Sequence, residues 1–436
     1  MSTVKLTPAT NGGSVQLKAP NDTSGADVVL TLPNTDGDAN QLLKTDGSGN
    51  LSWADDTDTT NTNASNLSSG TLPDARFPAT LPAVSGANLT GIASPLNNRN
   101  ILINGAMRIR QRGDVANAGN EYGGPDRWFF WKNDGAFNIS QTDTVPAGQG
   151  FKNSYKIDCT SVSGTSGANY VGILQKLEGV DVQRLKYGSS NAESLTLSFW
   201  IRSTKTGTYI ATLENKDQTK HISKSYTVSA SNTWEKKTIT FPGDTAAGFD
   251  NDTGESLKLI LWVFAGSSYT SGTLATSWAS VVDANSAVGQ VNAGDNTSND
   301  IYFTGIQLEP GTTATEFEHR SYHDELNRCL RYYWNVAKGN DVAFVSGYAH
   351  SSSYLNWLHR FPVPMRATPS LEQTTGTNYY NVEQHGTHYY LTGFGGVERG
   401  NTYAIQTWTA LSTTQGSGGR VRTYNASASY AYKAEL

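Results

Sequence analysis

Apolar and polar positions alternate at period two through most of the chain, the mark of strands that bury one face. Val4/Leu6, Val15/Leu17 and Val28/Leu30/Leu32 set this rhythm in residues 1–54. Asp46-Gly47-Ser48-Gly49-Asn50 predicts a hairpin between Gln41-Leu42-Leu43 and Leu51-Ser52-Trp53. Longer strands are predicted from residue 98 on: Ile101-Leu102-Ile103, Arg127 to Trp131, Ser154 to Cys159, Leu195 to Arg202, Trp234 to Phe241, Leu257 to Phe264 and Asp300 to Leu308. Their number and turn punctuation predict a jelly-roll β-sandwich over residues 98–319. Helical spacing appears in Leu326, Cys329, Leu330 and Tyr333, preceded by the capping pair Ser321 and Asp324. A helix starting near Tyr322 is therefore expected within a linking segment, 320–334. Residues 335–436 return to strand patterns, as in Val342 to Val345 and Thr402 to Trp408. Prolines within Phe361 to Pro369 mark a connection or an edge.

Residues 55–97 follow neither rhythm. Asn63 to Gly70 is echoed by Ala83 to Gly91, and charge nearly vanishes after Asp55, Asp56 and Asp58. Such a segment is either a linker or a shaft in which several chains intertwine. Leu67, Leu72, Phe77, Leu81, Leu89 and Ile92 lack partners in their own segment, which favours the shaft in a parallel homotrimer. Residues 1–54 are likewise too few and too polar to bury much alone.

Composition narrows the class. Only 16% of residues are charged and 37% hydrophobic, so Ser, Thr, Asn and Gly carry the polarity. That mix disfavours helices and, with a net charge of −5, excludes a coiled coil and a basic nucleic-acid binder. No apolar run is long enough to insert in a membrane, and Met1 to Lys5 opens no signal peptide, so synthesis in a cytoplasm is expected. Cys159 and Cys329 read as reduced thiols. The chain end differs from the rest: residues 320–436 hold ten basic and seven acidic side chains and 13 of the 21 tyrosines.

Several phrases resemble tail fibres of tailed bacteriophages, particularly marine and cyanobacterial phages. Asp46 to Trp53 is similar to the end of their N-terminal segment. Asn100-Ile101-Leu102-Ile103-Asn104-Gly105-Ala106-Met107, Gln111-Arg112-Gly113 and Asp126-Arg127-Trp128 resemble the opening of their sandwich. Gly305 to Gly311 and Phe317 to Tyr322 resemble its close, and Cys329 to Tyr333 and Phe361 to Arg366 are similar to later phrases. The resemblance implies a homotrimeric virion appendage whose residues 1–54 dock on a tail or baseplate protein. It also implies a jelly roll of carbohydrate-binding type and raises a structural Ca²⁺ within 98–319, with no ligands assigned.

Motifs for other chemistry are weak. Arg112-Gly113-Asp114 belongs to a longer phrase and reads as scaffold. His319/His323 and His385/His388 are spaced for metal, but the first begins outside the expected helix and the second flanks Gly386, a turn residue. Asp55, Asp56 and Asp58 lack the spacing of a Ca²⁺ loop and read as a solvated turn. Glu309, Glu316, Glu318, Asp324 and Glu325 are the acids a glycan-cleaving fibre would draw on, but proximity in sequence fixes no carboxylate separation. The expectation is a binding protein, not an enzyme; the alternatives are a structural tail spacer and a glycan-cleaving fibre.

Recognition is placed in residues 335–436. Tyr379, Tyr380, His388, Tyr389, Tyr390, Tyr403, Trp408 and Tyr424, with Arg420 and Arg422, offer rigid aromatic area and cations. The expected partner is a host-surface polysaccharide or lipopolysaccharide.

Overall fold

The computed structural model describes residues 3–6, 15–18, 29–55, 98–162, 164, 167–395, 397–408 and 414–436. It is mainly β and divides into two compact units, residues 1–89 and 90–436. In the first unit Thr3–Leu6 pairs with Val15–Lys18, and Gln41–Thr45 with Leu51–Asp55. The predicted hairpin is present. Its turn is closed by the Asp46 carboxylate, which accepts from Asn50 Nδ2 at 2.7 Å and Ser48 N at 2.7 Å. These bonds hold the Asp46 carboxyl below its ordinary value. Residues 29–32 form no strand beyond a bridge from Thr31 to Asn50. The shaft expected at 55–97 lies, apart from Asp55, outside the described residues.

The second unit opens with the sandwich. One sheet runs in the order Glu235–Phe241, Leu195–Ser203, Asp300–Pro310, Ser154–Ser161, Ala136–Thr142. The other runs Ala279–Ser280, Lys220–Val228, Gly207–Asn215, Glu255–Ala265, Tyr170–Glu178, Phe129–Lys132, Glu121–Tyr122. Inward side chains of both, among them Phe130, Tyr155, Phe199, Leu261 and Phe303, close one dry core.

Ile101-Leu102-Ile103 is not a strand, because side chains capture the backbone that a ladder would need: Gln175 accepts from Ile103 N at 2.7 Å and donates to Ile103 O at 2.8 Å, and Arg320 donates to Leu102 O at 2.9 Å. Asn100 Oδ1 accepts from Leu102 N at 3.0 Å and Leu308 N at 3.1 Å. Asn104 accepts from Ile109 N at 3.0 Å and donates to Ile109 O and Asp126 O, both at 2.9 Å. At Gly105 a Cβ would meet the Ile306 carbonyl oxygen at 2.0 Å, so only glycine fits.

The expected helix spans Tyr322–Leu330, and Ser321 caps it by accepting from Asp324 N at 3.1 Å. The terminal region begins at once, with Tyr333–Lys338 paired to Ser429–Lys433 and on to Ser370–Gln373. Its larger sheet runs Thr387–Leu391, Tyr380–Gln384, Gly418–Thr423, Ala343–Ala349, Leu355–Arg360, Tyr403–Trp408, Val397–Arg399. Tyr380, Val382, Trp357, Met365, Tyr430 and Tyr432 pack its core.

Sandwich and terminal region meet along a charged, buried seam. The Glu178 carboxylate, fully buried, takes both ends of the Arg331 guanidinium at 2.7 and 2.6 Å, and the Tyr332 hydroxyl. Arg127, equally buried, pairs with Glu435 beneath the Tyr332 ring, 3.4 Å from its centroid. Arg112 reaches the same Glu435 carboxylate at 3.0 Å and stacks on Tyr333.

Candidate functional site

Strand register sorts the predicted recognition residues by face. Tyr380–Gln384 turns into Thr387–Leu391 through His385 and Gly386, both at positive φ (48° and 75°), the turn the sequence indicated. Asn381 lies opposite Tyr390 and Arg422, and Glu383 opposite His388 and Arg420. Since side chains alternate across a sheet, these six share one face. Tyr424 follows Arg422 by two residues and joins them: its ring centroid is 4.8 Å from that of Tyr390. The two rings are 46% and 45% exposed. The Tyr390 hydroxyl, hydrogen-bonded to Tyr424, is pushed above the ordinary phenol range. The His388 ring lies nearly parallel to Tyr390 at 6.4 Å, and its Nδ1 lies 3.2 Å from Asn381 Oδ1.

The arginines are not loose charges. Arg420 and Arg422 both bond Glu383 Oε2, and Arg422 adds Asp341 at 2.6 Å. The Asp341 bond, then Glu383, raises the Arg422 guanidinium further. The result is a pair of exposed rings tilted 59° to one another beside a locked array of planar donors. Beneath it Asn381 Nδ2 and Arg422 Nε are buried without a partner.

The remaining predicted residues are elsewhere. Tyr380 is a correction: its position points inward, it is fully buried, and its hydroxyl donates to Thr374 O at 2.9 Å and Ser429 O at 2.5 Å. Tyr379 and Tyr389 are half-buried against the same core. Tyr403 and Trp408 belong to the Tyr403–Trp408 strand, separated from this face by two intervening strands beyond Gly418–Thr423.

Four of the five acids considered for cleavage hold scaffold bonds. Glu309 is buried and accepts from Thr315 N and Oγ1. Glu318 accepts from Asn100 N, Glu325 from Asn104 N, and Asp324 from Ser321 Oγ. Among the described residues no three His, Cys, Asp or Glu side chains converge as metal ligands. At Asp158 and Asp300 the compensating cation is Lys156, 3.6 and 3.0 Å away.

A second aromatic group went unpredicted. On the outer side of the seven-stranded sandwich sheet, Trp131 stacks on Tyr170 at 3.9 Å and meets Trp262 edge-on at 5.2 Å. Phe129-Phe130-Trp131 and Leu259-Ile260-Leu261-Trp262 carried the signal: runs with no polar alternate imply cover on both faces. The cover is supplied by residues 266–287, with Tyr269 and Ala287 against Trp262.

No protein-family model matches the sequence, nor does any curated protein. Among solved structures, the enzymatically active domain of tailspike protein 4 of bacteriophage CBA120 is similar over 45% of this chain, at 12% identity and a TM-score of 0.26. The match takes in 21% of that protein's length. A sugar-binding protein of Bacteroides thetaiotaomicron is similar over 48% of this chain and 99% of its own, at 12% identity and a TM-score of 0.28. A family 11 carbohydrate-binding module from a cellulosomal cellulase of Clostridium thermocellum is similar over 47% of this chain and 98% of its own, at 14% identity and 0.24. No residue role is carried over from these proteins.

Proposed function

We propose that the chain is a glycan-binding, non-catalytic fibre protein of a phage virion. Residues 1–54 would attach it to the tail, and the outward face around Tyr390 would meet the host surface. The observation that carries this reading is the exposed Tyr390–Tyr424 pair beside Arg420, Arg422 and Glu383. A pyranose ring presents C–H bonds on its faces, which pack on aromatic π faces, and hydroxyls at its rim. The fixed guanidinium and carboxylate groups can satisfy such a rim in pairs. The tail-fibre phrases support the virion assignment. The exposure of Leu30 and Leu32, 58% and 66%, supports assembly as a homotrimer. Three weak sites on one particle would add avidity.

The test is adsorption competition. Purified trimer should block phage from host cells, and Tyr390→Ala with Tyr424→Ala should remove most of that block while leaving the urea midpoint unchanged. Competition undiminished in the double variant would refute this face as the site. No competition by the parent protein would favour a structural spacer. Light scattering that finds a stable monomer would refute the trimer.

A further inference from the structure

The net positive charge of residues 320–436 is not spent at the tip face, where Arg420 and Arg422 are neutralised by Glu383 and Asp341. Lys433 likewise meets Glu372 at 3.2 Å. A separate group of arginines lies where the Tyr322–Leu330 helix meets the loop at Asn98. Two adjoining clefts open there, of about 930 and 320 Å³, sharing Asn98 and Arg328. Five arginines line them, three of them paired: Arg99 with Glu309 at 3.6 Å, Arg320 with Glu318 at 3.2 Å, and Arg331 with Glu178 at 2.6 Å. Among the described residues Arg184 and Arg328 have no carboxylate within ion-pair distance. Arg328 donates only to Asn98 Oδ1 at 2.6 Å, and Arg184 only to Arg99 O at 3.4 Å.

Desolvation in the cleft lowers both guanidiniums below their ordinary value; the Arg320 charge adds to this, and Glu318 and Asp181 oppose it. Folding has thus drawn two like charges into a cleft and left each with unused donors. The acids nearby attract both but stay beyond ion-pair distance among the described residues. Glu318 is committed to Asn98 N, Asn100 N and Arg320, and Asp324 to Ser321. The Asp181 carboxyl is pushed up by burial and by the Glu178 charge. An oxyanion at the two guanidiniums would supply the counter-charge at contact distance that each lacks and fill donors arranged as planar forks.

We propose that this cleft binds the oxyanion of an acidic saccharide, a uronate carboxylate or a sulfate ester, with Arg184 and Arg328 as the recognising pair. The site is separate from the tip face and stands or falls without it. Calorimetry on the full chain in low salt would compare a galacturonan oligosaccharide, a sulfated galactan oligosaccharide and an uncharged galactan of equal length. One charged probe should bind, and which one identifies the oxyanion. Arg184→Gln and Arg328→Gln should each weaken it about tenfold and together abolish it. Tyr390→Ala with Tyr424→Ala should leave it intact. The urea midpoint of the double Gln variant should match the parent's, because neither arginine forms an ion pair with a described residue. The assignment is overturned if neither charged probe binds, if the double Gln variant binds undiminished, or if that variant is less stable, which would mark the arginines as scaffold.

Discussion

Glu435→Gln is the sharpest probe of the seam. It keeps the shape of the side chain and deletes its charge. Arg127 is 1% exposed, so its guanidinium cannot recover water. It would keep its bond to Lys176 O, 2.8 Å away, and the Tyr332 ring, but neither neutralises it. Removing one member of a buried ion pair costs about 3–5 kcal/mol. The cation–π contact retains at most about 2 kcal/mol of favourable interaction and is present before and after. Arg112 also loses Glu435 but stays within 3.9 Å of Glu372. The expected loss is therefore about 3 kcal/mol for Gln, and nearer 5 kcal/mol for Ala, which also leaves a void. Against a typical domain stability of about 5–15 kcal/mol, this is a large fraction.

The assay is urea unfolding followed by tryptophan fluorescence, at low and at 0.5 M salt. A buried pair is little screened, so the loss should persist at both. Arg127→Met with Glu435→Met should recover most of it, because no charge is then stranded. A loss under about 1 kcal/mol for Glu435→Gln, or a double Met variant as unstable as Glu435→Ala, would refute a closed seam. A cut at residue 335 would strand Arg127 in the same way, so point substitutions on the outward face test recognition more cleanly than deletion of residues 335–436.

Asn104→Ala should cost about 3 kcal/mol in the same urea assay, since Ile109 N, Ile109 O and Asp126 O each lose a buried partner worth about 1 kcal/mol. Ser321→Ala removes the helix cap and should cost about 1 kcal/mol. His359 is buried with Nε2 unpartnered, and burial lowers its imidazolium to about 4. The unfolded chain takes up that proton near pH 6.5 and the folded chain does not, so stability is full above pH 6.5 and lost as pH falls toward 4. The loss approaches about 3 kcal/mol. His359→Gln should flatten this part of the urea-midpoint profile between pH 7 and 4.5, with His221 and His319, also lowered by burial, leaving a residue of the slope.

What the sequence foretold followed local rules. Ser321 and Asp324 placed the helix start, His385-Gly386 the turn, and Asp46 to Asn50 the hairpin, because caps and tight turns depend on two or three adjacent residues. Ile101-Leu102-Ile103 failed as a strand because the deciding bonds come from distant side chains, Gln175 on Ile103 and Arg320 on Leu102. Tyr380 failed as a surface residue because a run of two tyrosines does not say which faces inward; only the register against Thr423 does. The seam was invisible for the same reason. Arg127, Glu178 and Glu435 each look like ordinary surface charges until the fold sets Arg127 beside Glu435 and Glu178 beside Arg331. The basic cleft could have been suspected from Arg320, Arg328 and Arg331, but nothing local links them to Arg184.

The seven-stranded sheet of the terminal region separates what holds it together from what it presents. Inward positions Tyr380, Val382 and Val421 are fully buried, and each carries packing that would cost several kcal/mol to truncate. Outward positions one residue away, His388, Tyr390 and Tyr424, touch mainly one another and solvent. Substitutions confined to such surfaces usually change stability by no more than about 0.5 kcal/mol. A face of this kind can therefore change its aromatic and hydrogen-bonding pattern almost free of the core beneath it. The exception is the Glu383 pair of ion bridges, which ties two outward arginines to one strand and fixes the donors relative to the rings. On this argument Glu383→Gln should spare folding, because Arg420, 51% exposed, can hydrate and Arg422, only 16% exposed, keeps Asp341. It should weaken cell binding as much as losing either ring, because the guanidiniums would no longer be held in one geometry. If binding were unchanged in Glu383→Gln, the rings alone would carry recognition, and the fixed donor array would have no part in it.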